Sequence, residues 1–568
     1  MRTSGRTTAR LTAASAALVA LVLTLTPGAA TAASSPEPER RRIGSSVLLA
    51  SAEPRKHAKP TKRAAVTVSD FDGDGVDDLA VAGSGPGWTH DGHVVDGAVA
   101  VRYSSLQRRD VFAGITEATR SGCAGSFASA LATGDFDRDG YDDLAVGSTC
   151  ESPDGSYAKR NSGAVFVFPG SRTGLTLTTA RRLSRSTAGV PGRATPGERF
   201  GEVLAAGDLD GDGYDDLAVG MPRATVGSAK RAGKVAVLFG GRSGLSGEGA
   251  QAFDRSTAGV PGKARGEDRL GTSLSIGRVT SDGYRDLVVG APGHSWAYGR
   301  EGAVLLVPGS ARGLAVGSTR MAGSTRVGQA LSAHARAPGL EQLGAAVLAA
   351  DVDGDGVDEV LVGAPDSWVD RVPRARSSEQ SGVVVVLDVP GSTFAFDDVT
   401  WVDLASADVP GHPEYGDAFG ASLAATDLDD DGRLDVAIGA PGRAVAGQVR
   451  AGAVYVLKGS RSGLTGVGSV ALTQLSPGVD GYPGGGARFG GAVAFLDVDG
   501  AGRRDLVVGA DHDHAQGDRP GNRSGSVTIF RTVSGVLKPG SSWGGVDAGV
   551  NVPDRWMSRF GGRIGHHG

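Results

Sequence analysis

Short acidic motifs recur along this chain, and their spacing suits metal binding. The clearest copy runs Asp208-Leu-Asp-Gly-Asp-Gly-Tyr-Asp-Asp216. We count its first aspartate as position 1. Acids then occupy the alternate positions 1, 3 and 5, and a further acid occupies position 9. Alternate spacing lets these carboxylates converge, while glycine at position 6 tolerates the positive φ of a tight turn. The motif therefore predicts a loop that gathers four carboxylates around one point.

The chemistry of this ligand set favours calcium. Ca²⁺ takes six to eight oxygen ligands at about 2.3–2.6 Å, which four carboxylates and the backbone carbonyl of position 7 can supply. Mg²⁺ demands octahedral geometry and keeps its waters, and zinc is disfavoured because the loop lacks Cys and His. The alternative is a series of metal-free Asp-Gly turns between strands. Five complete copies in register favour calcium, and we expect about five Ca²⁺ ions.

The complete copies define the predicted ligands. They are Asp70, Asp72, Asp74, Val76 and Asp78; Asp135, Asp137, Asp139, Tyr141 and Asp143; Asp208, Asp210, Asp212, Tyr214 and Asp216; Asp351, Asp353, Asp355, Val357 and Glu359; and Asp427, Asp429, Asp431, Arg433 and Asp435. Two further copies are incomplete. Arg278 and Thr280 replace positions 1 and 3 of the fourth copy, which predicts a metal-free loop held by its own guanidinium. Ala501 removes position 5 of the seventh, which leaves its metal binding open.

The seven copies are evenly spaced, which indicates one repeated structural unit. They begin at residues 70, 135, 208, 278, 351, 427 and 497, so the steps are 65 to 76 residues. Apolar runs flank each loop, as in Phe200–Gly207 and Leu217–Val219; a third run and a more polar fourth follow. Short β-rich runs without an amphipathic helix predict antiparallel strands. The fold class expected is all-β, a seven-bladed β-propeller of four-stranded antiparallel blades, which closes into a ring and protects its sheet edges.

Two dipeptide signatures bracket the acidic loops. Phe-Gly precedes them at Phe200-Gly201, Phe419-Gly420 and Phe489-Gly490, and Gly-Ala-Pro follows at Gly290–Pro292, Gly363–Pro365 and Gly439–Pro441. With these signatures the chain resembles FG-GAP repeats, the repeat of the integrin α-subunit propeller and its secreted bacterial relatives. The resemblance implies calcium on the loops that join strands one and two. No von Willebrand-type insertion and no C-terminal transmembrane helix are seen, so an integrin-like heterodimeric receptor is not implied.

The N-terminus predicts export. Arg2, Arg6 and Arg10 precede an apolar stretch at Leu11–Leu25 and a small-residue run that ends at Ala32. This pattern is typical of a secretory signal peptide over residues 1–32, with an uncleaved anchor as the alternative. We therefore expect a secreted, extracellular protein.

The remaining boundaries follow from composition. The composition predicts a flexible leader at residues 33–64, the propeller at residues 65–536 and a Gly-rich C-terminal segment at residues 537–568. In that segment Arg559–Ile564 repeats the pattern of Arg488–Val493, whereas the first repeat has Ala65-Val-Thr-Val68 and no Phe-Gly. We expect the Phe560 segment to pack beside the first or last blade and close the ring; the alternative is a frayed tail whose match is accidental.

The two cysteines, Cys123 and Cys150, flank the first two strands of the second repeat. An oxidising compartment and an even count predict a disulfide between them. A net charge of −5 without a basic run argues against nucleic-acid binding.

Function is less determined by the sequence. No catalytic motif is found, so no catalytic residue is assigned and enzymatic activity stays open. Large aromatic residues stand in the segments between strands two and three, and they are candidate ligand-binding residues: Trp88, Tyr157, Trp296, Tyr298 and Trp368. Alternatively, these rings fold back and plug the loops.

Three hypotheses remain for the function. The first is a monomeric, calcium-stabilised binding or adhesion module, without a transmembrane anchor, for a protein or glycan partner. The second is a polysaccharide-binding lectin, and the third is a secreted hydrolase or lyase that uses a propeller face, which the fold alone cannot exclude.

Overall fold

The computed structural model describes most of the predicted propeller. The described residues are 39–43, 46–52, 69–90, 93–103, 108–116, 127–152, 160–293, 302–331, 339–368, 380–396, 399–479, 482–513, 524–544 and 563–564. They form seven antiparallel sheets arranged as the blades of a β-propeller, so the predicted fold class is confirmed. The predicted signal peptide, residues 1–32, lies outside the described residues.

Blade 1 contains an addition that the sequence analysis missed. Its strands are β1 (Glu39–Ile43), β2 (Ser46–Ala52), β3 (Leu79–His90), β4 (His93–Tyr103) and β5 (Arg108–Thr116). The β1–β2 hairpin extends the outer edge of the blade, because β2 pairs with β5 along its whole length. The prediction of a flexible leader at 33–64 is therefore wrong for these two strands. These two strands are ordered because Leu48 is buried in the blade core and because β2 covers the open edge of β5.

The other six blades each have four strands that are hydrogen-bonded in chain order. Blade 2 is β6 (Phe127–Gly134), β7 (Asp143–Ser148), β8 (Ala164–Phe168) and β9 (Arg181–Leu183); blade 3 is β10 (Val203–Gly207), β11 (Asp216–Met221), β12 (Lys234–Leu238) and β13 (Gln251–Phe253); blade 4 is β14 (Ser273–Gly277), β15 (Asp286–Ala291), β16 (Ala303–Val307) and β17 (Arg320–Gly323). Blade 5 is β18 (Ala346–Ala350), β19 (Glu359–Ala364), β20 (Val383–Leu387) and β21 (Thr400–Val402); blade 6 is β22 (Ser422–Thr426), β23 (Asp435–Ala440), β24 (Ala453–Lys458) and β25 (Thr465–Leu472); blade 7 is β26 (Ala492–Leu496), β27 (Asp505–Ala510), β28 (Ser526–Val533) and β29 (Val536–Gly544).

The fourth strand of blade 7 corrects the predicted C-terminal boundary. β29 pairs with β28 from Val536 to Gly544, so the propeller continues past residue 536. Trp543 is buried in the core between blades 7 and 1, which gives this strand a packed position.

A last strand, β30 (Arg563–Ile564), joins blade 1 from the other end of the chain. It pairs with the inner edge of β3, with Ile564 opposite Val81. The repeated pattern implies this register, since Ile564 matches Val493 of blade 7. Val493 lies opposite Val508, which stands three residues after the position-9 acid of its loop, as Val81 does in blade 1. Ile564 is buried, and β30 lies against the inner strands of blades 7 and 2. Phe560 and Ala65–Val68 lie outside the described residues.

Helix is almost absent from the described residues. Helix α1 (Ser324–Leu331) follows β17 and buries Val327 and Leu331 in the core between blades 4 and 5, and a single 3₁₀ turn spans Val316–Ser318. Neither is long and apolar enough to cross a membrane, and the same holds for all helices of the described part of the chain.

The two dipeptide signatures meet at the boundary between blades. Gly363 of β19 lies so close to the next blade that a Cβ on it would overlap the carbonyl oxygen of Gly420. Phe419 is fully buried, and its amide donates to the carbonyl of Ser381 at 2.8 Å. The same glycine contact recurs at Gly220–Gly271, Gly290–Gly344 and Gly439–Gly490. Close backbone approach therefore explains why both signatures carry glycine.

We expect Gly363→Ala to destabilise the propeller by about 1–3 kcal/mol, the usual cost of overpacking a close contact. The clash is with backbone, so it cannot be relieved by a side-chain rotation. Thermal melting would measure the change. Gly241→Ala is the matched control, because a Cβ at Gly241 meets no other atom within 4 Å. Equal melting temperatures for the two variants would contradict the prediction.

Candidate metal centres

The acidic motifs form equivalent loops at one end of every blade. They are numbered by blade as loop 1 (70–78), loop 2 (135–143), loop 3 (208–216), loop 4 (278–286), loop 5 (351–359), loop 6 (427–435) and loop 7 (497–505). Loops 2 to 7 each connect the first and second strands of their blade, and loop 1 leads into β3. The strand pairing therefore places all seven at the same end of the ring.

Backbone amides fold each loop around its own carboxylates. In loop 3, Gly213 donates its N–H to Asp208 Oδ2 at 3.0 Å, and Tyr214 donates its N–H to Asp212 Oδ1 at 3.0 Å. These Asx turns are local, which explains why nine residues suffice to build the loop. The position-7 residues Val76, Tyr141, Val357 and Arg433 make the same amide contact at 2.8 to 3.0 Å. Metal coordination by the position-7 carbonyls stays a prediction.

The acid at position 9 ties the loop to the sheet. Asp216 Oδ2 accepts a hydrogen bond from the amide of Leu209, and Oδ1 accepts one from the amide of Gly240, both at 2.9 Å. Asp143 is held in the same way by Phe136 and Gly170. Position 9 is therefore a buried anchor that aligns the loop with the end of the third strand.

In the five complete loops, three carboxylates converge. One oxygen from each lies within 4.8 Å of the others. The groups are Asp70, Asp72 and Asp78; Asp135, Asp137 and Asp139; Asp208, Asp210 and Asp216; Asp351, Asp353 and Asp355; and Asp427, Asp429 and Asp431. Loops 4 and 7, although fully described, contain no such group.

The electrostatics of these loops require a counter-charge. Burial is the main cause that raises the pKa of Asp143, Asp216 and Glu359 to about 8, and the other carboxylates of each loop act in the same direction. Burial also raises the pKa of Asp74 to about 6. Acids placed this way resist joint ionisation at neutral pH unless a cation neutralises them. A donor set made of carboxylate oxygens fits a hard divalent cation such as Ca²⁺.

In the incomplete loops, the remaining carboxylates are held by protein groups. In loop 4, Thr280 donates its amide to Asp286 Oδ2 at 2.6 Å and its hydroxyl to Asp286 Oδ1 at 3.2 Å. Arg278 is exposed, so the prediction that its guanidinium holds the loop is wrong, and Thr280 holds Asp286 instead. In loop 7, Asp499 lies 3.7 Å from the Nε of Arg531, and burial raises the pKa of Asp505 to about 7.

Sequence reasoning missed the role of position 8. Asp215 donates its amide to the carbonyl of Asp135 at 3.2 Å, and its Oδ2 accepts the amide of Asp135 at 3.0 Å. This two-point clasp joins loop 3 to loop 2. Asp77 and Asp497 form the same clasp between blades 1 and 7, at 3.0 and 2.8 Å. The sequence feature that could have indicated this role is the pair of adjacent acids at positions 8 and 9.

The predicted ligand-binding aromatics do not form one described site. Tyr157, Trp296 and Tyr298 lie outside the described residues. Trp88 stands in β3 opposite Val95, so its segment is an extended hairpin and not a loop. Trp368 is half-buried, and its Nε1 donates to Glu341 Oε1 at 3.4 Å, in keeping with a ring folded against its own blade.

Cys150 is buried and disulfide-bonded. The one other cysteine of the chain, Cys123, lies outside the described residues, so its pairing with Cys150 stays a prediction.

Comparison with known proteins identifies the repeats. Four stretches, residues 127–168, 200–238, 343–387 and 419–457, match the FG-GAP repeat model. Phosphatidylinositol-glycan-specific phospholipase D of Bos taurus is 28% identical over 461 residues, which cover 66% of this chain and 52% of that protein. Integrin alpha-5 of Xenopus laevis is 32% identical over 246 residues, covering 42% of this chain and 20% of that protein.

The chain thus spans about half the length of the bovine relative and a fifth of the integrin subunit. Among solved structures, the exotype rhamnogalacturonan lyase YesX is similar over 89% of this chain and 82% of its own, with 14% identity and a TM-score of 0.36.

Proposed function

We propose that this seven-bladed propeller, four stretches of which match the FG-GAP repeat model, is a secreted, monomeric binding module stabilised by calcium. Its partner would be a protein or a glycan. The five converging carboxylate groups support calcium as the resident ion. The arginines and apolar stretch at the N-terminus support secretion, and N-terminal sequencing of the exported protein would test cleavage after Ala32.

One observation carries the binding role: large apolar side chains are exposed on neighbouring loops at the end of the ring opposite the acidic loops. Tyr415 is 62% exposed, Val449 68% and Tyr482 70%. Tyr415 and Tyr482 stand in the connections that enter and leave blade 6, and Val449 stands between its second and third strands. Exposed aromatic rings at such loops are typical of binding surfaces, because they supply contact area at low entropy cost.

The three loops are fixed relative to one another. The amide of Gly486 donates to the carbonyl of Val449 at 2.8 Å, which joins the Val449 loop to the connection that carries Tyr482. Arg443 lies 2.9 Å from Asp417 and 3.2 Å from Glu414, which joins the same loop to the connection that carries Tyr415. The surface is therefore pre-organised, which lowers the cost of binding.

The test is a binding screen of the mature protein on immobilised polysaccharides and on a panel of extracellular proteins. We expect Tyr415→Ser with Tyr482→Ser to abolish any binding that the unmodified protein shows. Val536→Ser is the matched control, because Val536 is 57% exposed but lies at the end of the ring that carries the acidic loops. Equal loss in the control, or full binding by the double variant, would contradict the role of this surface.

The screen also separates the alternatives. Binding to polysaccharide alone would favour a lectin. Release of products from the bound polysaccharide, measured with and without EDTA, would favour the third hypothesis, a hydrolase or lyase.

A further inference from the structure

In loop 6, a lysine of the same blade contacts two of the carboxylates directly. Lys458, the last residue of β24, lies with its Nζ 2.8 Å from Asp429 Oδ2 and 2.8 Å from Asp435 Oδ2. These acids occupy positions 3 and 9 of the loop. A side-chain ammonium therefore stands between two of the carboxylates that the sequence assigns to a metal.

The lysine replaces a backbone contact that the other loops retain. In loops 1, 2, 3 and 5, one oxygen of the position-9 acid accepts the amide of position 2. Asp435 Oδ2 instead accepts Lys458, while Asp435 Oδ1 keeps the usual amide contact with Gly459 at 3.0 Å. The loop is thus built around the ammonium at its anchor.

Among the described residues, the third strands of the other complete blades carry no basic side chain at this register. The strand pairing puts four residues of other blades in register with Lys458: Tyr103, Pro169, Phe239 and Asp388. None of them is basic. The next equivalent, Arg531, belongs to the incomplete loop 7, where it lies 3.7 Å from Asp499. In loop 7, a basic residue at this register thus accompanies the loss of a metal ligand, whereas the other incomplete loop, loop 4, has Pro308 there.

Two further cations crowd loop 6. Arg433 pairs with Asp431, and Arg503 of blade 7 pairs with Asp430. The five acids of this loop are thereby matched with three basic side chains. A divalent ion entering among them would meet the repulsion of the Lys458 ammonium within a few ångströms.

We propose that Lys458 is a built-in counter-ion for loop 6 and that this loop does not take Ca²⁺. The propeller then holds four ions, on loops 1, 2, 3 and 5, in place of the five that its carboxylate groups suggest. The proposal rests on calcium binding by the complete loops, as proposed above. It assigns blade 6 a covalently attached cation, so this blade keeps its order when calcium is scarce.

The test is calcium stoichiometry of the full mature chain, measured by native mass spectrometry and by metal analysis after gel filtration in excess Ca²⁺. We expect four ions for the unmodified protein and five for Lys458→Met, which keeps most of the side-chain volume and removes the charge. Arg461→Met removes an exposed charge on the turn after β24 and should leave four.

A second pair of variants decides the question if Lys458→Met does not fold. Asp210 and Asp429 both stand at position 3. We expect Asp210→Asn to reduce the count by one and Asp429→Asn to leave it unchanged. Five ions in the unmodified protein together with loss of one in Asp429→Asn would overturn the role of Lys458 but leave calcium binding intact. A count of zero would overturn calcium binding itself.

Discussion

Removal of calcium is expected to lower the melting temperature by on the order of 10 °C. An ion that binds only the folded state stabilises it by about 2.7 kcal/mol when its free concentration is 100 times Kd. Four such sites together contribute about 11 kcal/mol, and the entropy of unfolding, about 2.1 cal/mol/K per residue, converts this into the shift in melting temperature. Metal binding and folding are coupled because the carboxylates repel one another without the ion.

The clasps between blades extend the effect beyond each loop. The position-8 residue that joins neighbouring loops, such as Asp215, is adjacent to the anchor acid of position 9, here Asp216. Loss of order in one loop therefore loosens the contact between two blades. We expect calcium removal to lower the melting temperature of the ring as a whole and not to detach one blade.

Differential scanning calorimetry with EDTA, followed by excess Ca²⁺, would measure this change. Mg²⁺ should restore less of the loss, because it dehydrates reluctantly and demands octahedral geometry. An unchanged melt in EDTA, with fewer than about two Ca²⁺ per chain by metal analysis, would rule out the metal assignment.

Deletion of residues 553–568 is expected to destabilise the propeller by several kcal/mol. The deletion removes β30, whose buried Ile564 packs with Leu79, Val81 and Leu496 between blades 1 and 7. Loss of a large buried aliphatic side chain costs about 2–5 kcal/mol, and each lost backbone hydrogen bond adds about 1 kcal/mol. Chemical denaturation would show the loss as a lower midpoint.

Two controls isolate the strand from the tail. Deletion of residues 566–568 alone keeps β30 and should leave the midpoint unchanged. Ile564→Val should cost only about 0.5–1.5 kcal/mol, because it removes one methylene from the same contact. If the chain shortened after Val552 unfolds at the same denaturant concentration as the full chain, β30 does not close the ring.

The candidate metal loops could be predicted almost entirely from the sequence. Their ligands lie within nine residues, and local amide contacts such as Gly213 to Asp208 fold each loop around its own carboxylates. The period of the repeats likewise predicted seven blades, because each unit carries its own loop and blades 2 to 7 each carry their own four strands. Where a structure depends on residues that are close in the sequence, the sequence pattern is sufficient to predict it.

Other features depend on residues far apart in the chain. The hairpin of β1 and β2 was missed because its order comes from the edge of β5, more than fifty residues later. The pattern of the last residues suggested ring closure, but the partner strand of Ile564 is settled by the structure alone.

The sequence by itself thus determined the blades, their number and the five complete acidic loops. Only the tertiary structure decided which carboxylates have a cation of their own, because Lys458 reaches Asp429 and Asp435 from the third strand of its blade. It also decided which acids at position 8 clasp a neighbouring blade. The physical reason is the same in both cases: the charge on a loop is set within it, whereas its neutralisation depends on side chains and amides that folding brings from elsewhere.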